Sequence, residues 1–190
     1  MRIINLQITG GFLKGRKLYC PPKDLNLIRP LRTRIRKALF DILGQNLPGL
    51  KVLDLFAGTG ALGIEAFSRG ADFVVFIDSS PVSISIIKRN LEKFNLLDKS
   101  QIFKLKLPGG LKKITKKFQN FFNLVFITPP YEKGLALKTL QNLSKNLLQK
   151  EAIIITEERT GIDLPEKINN FSLIQKRIYG ETTLHIYRVF

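Results

Sequence analysis

The sequence contains almost none of the side chains that form disulfides or bind structural metals. Its 190 residues include one cysteine, one histidine, one methionine and no tryptophan. The single Cys20 excludes an internal disulfide and fits a reducing compartment. The lone His185, without a carboxylate cluster beside it, gives no indication of a metal site. A disulfide-stabilised scaffold and a zinc protein are therefore not expected.

Acidic residues are also scarce. Only 15 Asp and Glu stand against 31 Lys and Arg, which gives a formal net charge of +16. Such an excess attracts polyanions, so nucleic acid is the leading partner. No apolar run approaches the length of a membrane span, and no apolar signal segment follows Met1. We therefore expect a cytoplasmic protein, long enough for one domain with a full core.

The most informative segment lies at residues 52–65 and reads VLDLFAGTGALGIE. It begins as an apolar run too short for a helix, which predicts a buried strand. Gly58 and Gly60 follow in a turn where the backbone can approach a ligand closely, because no Cβ is present. Ala61 to Ser68 predicts a helix that ends before Gly70. This order is typical of nucleotide-like ligand sites, although a turn that needs glycine only for its geometry stays open.

A second apolar run, at 73–77, ends in Asp78. An acidic side chain about twenty residues after a glycine turn commonly accepts hydrogen bonds from ribose hydroxyls, and a plain strand-end residue is the alternative. Ser80 and Pro81 predict the start of the next helix. The patterns further predict strands at 102–105, 122–127 and 152–156, a helix at 135–148, and a tail hairpin at 172–177 and 183–189.

The predicted strand at 122–127 is followed directly by Thr128, Pro129, Pro130 and Tyr131. Prolines fix φ and donate no N–H, so the carbonyl oxygens there remain free to accept hydrogen bonds. An aromatic ring beside them can stack on a planar base. A rigid turn with a core tyrosine is the alternative interpretation.

The N-terminal region is basic. Residues 2–19 alternate between apolar and polar side chains and turn at Gly10 and Gly11. This pattern predicts a β-hairpin, and a basic helix is predicted to follow it. Four arginines within eight residues, with no acidic residue among them, favour phosphate contacts over a solvated basic face. The candidate phosphate contacts are Arg16, Lys17, Arg29, Arg32, Arg34 and Arg36.

These motifs together resemble the RsmD family, methyltransferases that act on guanine N2 of 16S ribosomal RNA. The resemblance covers nearly the whole chain and rests on RII at 2–4, GRKL at 15–18, RP at 29–30, RIR at 34–36, LF at 39–40, LDLFAGTGALGIEA at 53–66, PPY at 129–131 and YG at 179–180. It implies a Rossmann-like α/β class I methyltransferase fold. The expected sheet is mostly parallel and seven-stranded, with helices on both faces, a C-terminal antiparallel hairpin and an N-terminal β-hairpin extension. Residues 1–45 would form an RNA-binding hairpin and basic helix packed on the core, and residues 46–190 the S-adenosylmethionine-binding domain.

The resemblance also implies an activity. The expected reaction methylates the N2 amine of a 16S rRNA guanine, of the guanine-966 type, in the small ribosomal subunit, and the enzyme is expected to be a monomer without a metal. The implied cofactor residues are Asp54, Phe56, Ala57, Gly58, Thr59, Gly60, Asp78, Ser79, Lys106 and Leu107. Thr128, Pro129, Pro130 and Tyr131 are implied to hold the base, with the Pro129 carbonyl accepting from the amine and Tyr131 stacking on the guanine.

Three positions differ from the family pattern. Thr128 stands where the family has Asp; its neutral hydroxyl supplies no negative charge, so we predict slower methyl transfer. Lys106 stands where an Asp or Asn contacts adenine, and Thr33 replaces an acidic residue. Two alternatives follow: a weakened or inactive RNA-binding or ribosome-assembly protein with the same fold, and an adenine-N6 methyltransferase of nucleic acid. An NAD-dependent dehydrogenase is least favoured, because the chain has no separate catalytic domain.

Overall fold

A computed structural model of the protein describes residues 6–20, 33–131 and 134–190. The chain divides into two compact units, one ending at Leu105 and the other beginning at Lys106. Both units combine strands with helices, as the sequence predicts.

The first unit alternates helices and strands around three parallel strands. Its elements are α1 (Thr33–Leu43), β1 (Lys51–Leu55), α2 (Ala61–Ser68), β2 (Phe73–Asp78), α3 (Pro81–Lys93), a 3₁₀ turn (Leu97–Lys99) and β3 (Ser100–Lys104). Strand β2 lies between β1 and β3, with Leu55 beside Ile77 and Asp78 beside Lys104. Because these strands run parallel, the glycine turn after β1 and Asp78 at the end of β2 meet at the same edge.

The predicted N-terminal hairpin is confirmed over the residues that the structure describes. Gln7 and Lys17 form an antiparallel bridge, and Ile8 N donates to Arg16 O at 3.0 Å. The tip approaches the end of α2 so closely that a Cβ on Gly11, whose φ is +73°, would lie 1.6 Å from Ser68 O. Glycine is therefore required there. Residues 2–5 of the prediction lie outside the described residues.

The second unit joins a parallel strand pair to an antiparallel hairpin. Its elements are α4 (Leu111–Lys117), β4 (Phe122–Ile127), α5 (Leu135–Asn142), a 3₁₀ turn (Lys145–Leu147), β5 (Leu148–Arg159), β6 (Lys167–Ile168), β7 (Phe171–Tyr179) and β8 (Thr182–Val189). Strands β4 and β5 are parallel, and β5, β8, β7 and β6 then pair antiparallel in that order. The α/β class and the C-terminal hairpin are thus confirmed.

Three details differ from the predictions. The described residues form eight strands rather than seven, because the two-residue β6 is too short to show an alternation. Helix α5 ends at Asn142 instead of continuing to 148, since the Ser144 side chain accepts from Asn146 N at 3.2 Å and starts a 3₁₀ turn. Strand β5 extends well beyond 152–156, because β8 pairs with it as far as Arg159.

Candidate functional site

The turn after β1 has an unusual backbone. Phe56, Gly58 and Gly60 have φ values of 60°, 57° and 76°. A bulky residue such as phenylalanine rarely adopts a positive φ, and residues held this way cluster at functional sites. The turn is fixed by two hydrogen bonds, from Ala57 N to Ile77 O at 3.0 Å and from Gly60 N to Ala57 O at 2.7 Å. The result is a preformed turn with two glycines at the edge of the parallel strands.

Asp78 contacts this turn from the end of β2. Its Oδ2 accepts a hydrogen bond from Gly58 N at 2.9 Å, and its Oδ1 accepts one from Ser80 N at 2.9 Å. A carboxylate can accept about four hydrogen bonds, so capacity remains for two hydroxyl donors. The half-buried Asp78, with exposed Ser79 beside it, is therefore a suitable partner for a ribose.

Asp54 has a different environment. It is buried, and its Oδ2 accepts from Gly63 N at 3.0 Å, which ties the strand to α2. Burial raises the pKa of Asp54 to about 7; the Gly63 hydrogen bond opposes this rise, and the charge of Asp78 adds to it. A Cβ on Gly63 would lie 2.3 Å from the Phe76 ring, so this glycine allows α2 to pack closely on β2.

Asn90 joins the glycine turn to the hairpin, a role that the sequence analysis missed. Its Nδ2 donates to Thr59 O at 3.0 Å and to Tyr19 O at 3.1 Å, and its Oδ1 accepts from Tyr19 N at 2.7 Å. The side chain is fully buried. The sequence did contain a signal for this role, because Asn90 is a polar residue within the apolar stripe of α3, next to Leu91. A buried amide must find hydrogen-bond partners.

The structure contradicts the prediction that Arg36 contacts phosphate. Arg36 is fully buried instead of facing RNA: its Nε bonds to Glu65 Oε2 at 2.7 Å, and its Nη2 donates to the carbonyl of Gln7. Arg69 binds the other carboxylate oxygen of Glu65 at 2.8 Å. Burial lowers the pKa of Arg36 below its usual value, while the charge of Glu65 raises it. Arg36 therefore anchors α1 and the hairpin to α2, and its assignment as a phosphate contact is wrong.

The other predicted phosphate contacts divide into two groups. Arg16, Lys17 and Arg34 are exposed, as a phosphate contact requires. Arg29 and Arg32 lie outside the described residues, so their assignment stays a prediction.

In the second unit, the segment Thr128–Tyr131 follows β4. Thr128 is half-buried, Pro129 buried and Pro130 exposed. The Tyr131 hydroxyl donates to Glu157 of β5 and lies 2.7 Å from Thr182 Oγ1. Glu157 and Thr182 were not predicted from the sequence. They orient the phenol ring from its hydroxyl end.

The remaining predicted residues lie at the start of the second unit. Lys106 is exposed, and its carbonyl accepts from Gly110 N at 2.9 Å, while Leu107 is buried. His185 is fully buried, and burial lowers its pKa below the usual value.

Two broader features concern the described residues only. Over 6–20, 33–131 and 134–190, no group of three or more His, Cys, Asp or Glu could hold a metal ion. In the same ranges, no helix has both the length and the apolar character needed to cross a membrane.

Sequence comparison identifies relatives over nearly the full chain. The model of the family described as Conserved hypothetical protein 95 matches residues 6–188. Ribosomal RNA small subunit methyltransferase D of Buchnera aphidicola is 32% identical, over 96% of this chain and 92% of that protein. The Escherichia coli protein of the same name is 30% identical, over 96% of this chain and 89% of its own length.

Solved structures show the same fold. A candidate methyltransferase, yhhF, from Escherichia coli superposes with a TM-score of 0.81 and 29% identity, and the match covers 97% of both chains. A hypothetical protein from Thermus thermophilus gives a TM-score of 0.76 and 28% identity, over 95% of this chain and 97% of that one. The chain therefore belongs to the family described as Conserved hypothetical protein 95, which is the RsmD family that its motifs resemble.

Proposed function

We propose that this protein is an S-adenosylmethionine-dependent methyltransferase that modifies the N2 amine of a guanine in 16S ribosomal RNA. We further propose that it acts as a monomer, in the cytoplasm, on the small ribosomal subunit. The observation that carries the proposal is the match to the family over residues 6–188, which includes the complete glycine turn. The net charge of +16 supports an RNA substrate.

The first unit has residues that fit the cofactor. Gly58 and Gly60 leave room for the methionine portion, and Asp78 has acceptor capacity for the ribose. S-adenosylmethionine, when bound, supplies an activated methyl group on a sulfonium. The rest of the proposed cofactor set is Asp54, Phe56, Ala57, Thr59 and Ser79 of the first unit, together with Lys106 and Leu107 of the second. Asp54 would act through Gly63 by holding the start of α2 in place.

The segment Thr128–Tyr131 is proposed to hold the target base. Pro129 contributes a carbonyl oxygen without an N–H of its own, and such an acceptor can polarise an exocyclic amine and stabilise positive charge developing on nitrogen. The Tyr131 ring, fixed by Glu157 and Thr182, would stack on the guanine. Positioning of this kind supplies much of the rate enhancement when the methyl group is already activated.

The test has two stages. Calorimetry with S-adenosylmethionine, using NAD as the control, should show binding of the methyl donor alone. Radiolabelled methyl transfer to small subunits from cells without the enzyme, followed by nucleoside digestion, should then yield N2-methylguanosine. N6-methyladenosine in the digest would establish adenine methylation instead, and absence of cofactor binding would refute the proposal.

A second candidate is a catalytically weak or inactive RNA-binding protein, which Thr128 favours. A threonine hydroxyl accepts a neutral hydrogen bond, and charge-assisted hydrogen bonds are about twice as strong. We expect Thr128→Asp to accelerate single-turnover methyl transfer by about tenfold or more and to leave cofactor affinity unchanged. Thr128→Val, which removes the hydroxyl, is the matched control. No transfer by the native protein, with activity gained in Thr128→Asp, would establish the second candidate.

A further inference from the structure

Phe12 is an apolar ring held in solvent. It lies just after the tip of the N-terminal hairpin, and 70% of its surface is exposed. The backbone beneath it is fixed, because Phe12 N donates to Ser68 O at 2.8 Å and Leu13 N donates to Ser68 Oγ at 2.8 Å. The ring is therefore presented from a rigid support.

Three cations follow Phe12 in the hairpin. Lys14, Arg16 and Lys17 are exposed, and no acidic residue occurs between Phe12 and Tyr19. A single exposed hydrophobic residue needs no explanation on its own. An exposed ring that is followed closely by several cations is different, because the segment then combines a stacking surface with phosphate-binding groups.

Helix α3 adds to this surface. The Arg89 guanidinium lies 3.8 Å from the centre of the Tyr19 ring, and Lys93 Nζ lies 4.7 Å from it. Lys93 Nζ also donates to Lys17 O at 2.7 Å, which holds the returning strand of the hairpin against the helix. Arginine stacked on an aromatic ring forms a flat cationic platform. Along residues 12–19, an aromatic residue thus stands at each end of the segment, with three cations between them.

We infer that this surface, formed by residues 12–19 with Arg89 and Lys93, binds a single-stranded segment of the RNA substrate and stacks an unpaired base on Phe12. The inference deepens the proposed function and rests on it for the identity of the polyanion. Lys14, Arg16 and Lys17 contact the phosphates, which fixes position without reading sequence. A paired base has no free face for Phe12, so the surface selects unpaired RNA over a duplex.

The experiment measures binding of a fluorescein-labelled, unstructured RNA of roughly 12 nucleotides by anisotropy at several salt concentrations. Phe12→Ala should weaken binding by about 5- to 140-fold, which corresponds to the loss of one base–aromatic stack. Because the ring is uncharged, the slope of log affinity against log salt should not change. Lys14→Ala should instead reduce that slope by about 0.7.

The matched control is Phe190→Ala, which removes another exposed ring, 65% accessible, at the end of the second unit. It should bind the RNA like the native protein. Phe12→Trp should retain affinity, and Phe12→Leu should lose it, because stacking needs a ring and not only apolar area. Circular dichroism spectra that match the native protein will show that each variant is folded.

Several results would overturn the inference: equal affinities of Phe12→Ala and Phe190→Ala, retained affinity in Phe12→Leu, or equally tight binding of duplex RNA. Retained RNA binding by Phe12→Ala together with lost docking to ribosomal protein would assign the ring to a protein contact and overturn it too. Calorimetry with S-adenosylmethionine separates this test from the proposed function. If the native protein binds the cofactor and Phe12→Ala does not change RNA affinity, only the inferred RNA-binding surface is refuted. If Phe12→Ala weakens RNA binding but the native protein does not bind the cofactor, only the proposed enzymatic function is refuted.

Discussion

Asp54 makes the stability of the first unit depend on pH in an unusual direction. Its carboxyl is buried with Oδ2 bonded to Gly63 N, and its Oδ1 has no hydrogen-bond partner among the described residues. Burial raises its pKa from 3.8 to about 7. Asp54→Asn keeps the shape and an oxygen acceptor for Gly63 N but cannot ionise, so it isolates the effect of the charge.

The magnitude follows from the shift of about three pKa units, which at 1.36 kcal/mol per unit amounts to roughly 4 kcal/mol. The unfolded chain releases this proton near pH 3.8, whereas the folded protein retains it until about pH 7. The folded state binds more protons between these values, so its stability falls as pH rises through that window and then levels off. The contribution of Asp54 is thus fully present below pH 3.8 and lost above about pH 7.

The assay is urea unfolding followed by circular dichroism, since the chain has no tryptophan to report by fluorescence. The measured quantity is the difference in the free energy of unfolding between Asp54→Asn and the native protein at each pH. This difference should increase by roughly 4 kcal/mol from about pH 4 to pH 8, in favour of the variant. Asp98→Asn, at an exposed position, controls for removal of one carboxylate. A difference for Asp54→Asn that stays constant to within about 1 kcal/mol across this range would refute the reasoning.

Three further predictions concern buried or anchored polar side chains. Asn90→Ala removes three hydrogen bonds that join the hairpin and the glycine turn to α3, and should lower the free energy of unfolding by about 2 kcal/mol or more. Glu65→Gln leaves two buried arginines without a counter-charge and should cost about 3–5 kcal/mol in the same urea assay. Glu157→Ala removes one of the two hydrogen-bond partners of the Tyr131 hydroxyl, leaving Thr182, and should reduce single-turnover methyl transfer by about tenfold, with cofactor affinity unchanged.

Each of these predictions has a conservative control. Asn90→Asp keeps the acceptor for Tyr19 N but turns a second oxygen toward the carbonyls of Thr59 and Tyr19 at a buried position, so it should cost at least as much stability as Asn90→Ala; a smaller cost would contradict the role of the two donated hydrogen bonds. Asp163→Asn breaks an exposed ion pair with Lys176 and should leave the unfolding midpoint nearly unchanged; an equal effect of Glu65→Gln would contradict the argument from burial. Glu157→Gln retains an oxygen acceptor and should recover part of the activity. Native activity in both Glu157 variants would show that the Tyr131 ring does not need Glu157 to hold it.

Helix ends that are set by adjacent residues could be predicted from the sequence. Helix α2 begins and ends where the sequence predicts, at Ala61 and Ser68, because glycines bracket it on both sides. Helix α3 begins at Pro81 after Ser80, whose side chain accepts from Ser83 N at 3.4 Å. Caps and turns are encoded within a few residues, so a pattern read along the chain can identify them.

Contacts between distant residues could not be predicted in this way. Helical spacing placed Arg36 among exposed arginines, but its burial depends on Glu65, which lies 29 positions later. The partner of Tyr131 depends on the register of β5, and Glu157 lies 26 positions away. A charged residue in a basic segment has the same local pattern whether it contacts phosphate or a buried carboxylate. The three-dimensional structure distinguishes the two.

Helix α2 has no solvent-facing side, because all eight of its residues are buried. Its first turn continues the glycine turn, and its end supports the hairpin tip through Ser68 O. The helix therefore works as a spacer of fixed length, about 12 Å, between the loop proposed to bind the cofactor and the hairpin proposed to bind RNA. One inserted residue would move Ser68 by about 1.5 Å and rotate it by about 100°. In a deep mutational scan of this protein, residues 61–68 should be among the segments least tolerant of insertions and of larger side chains, whereas exposed positions of the hairpin should tolerate substitution better.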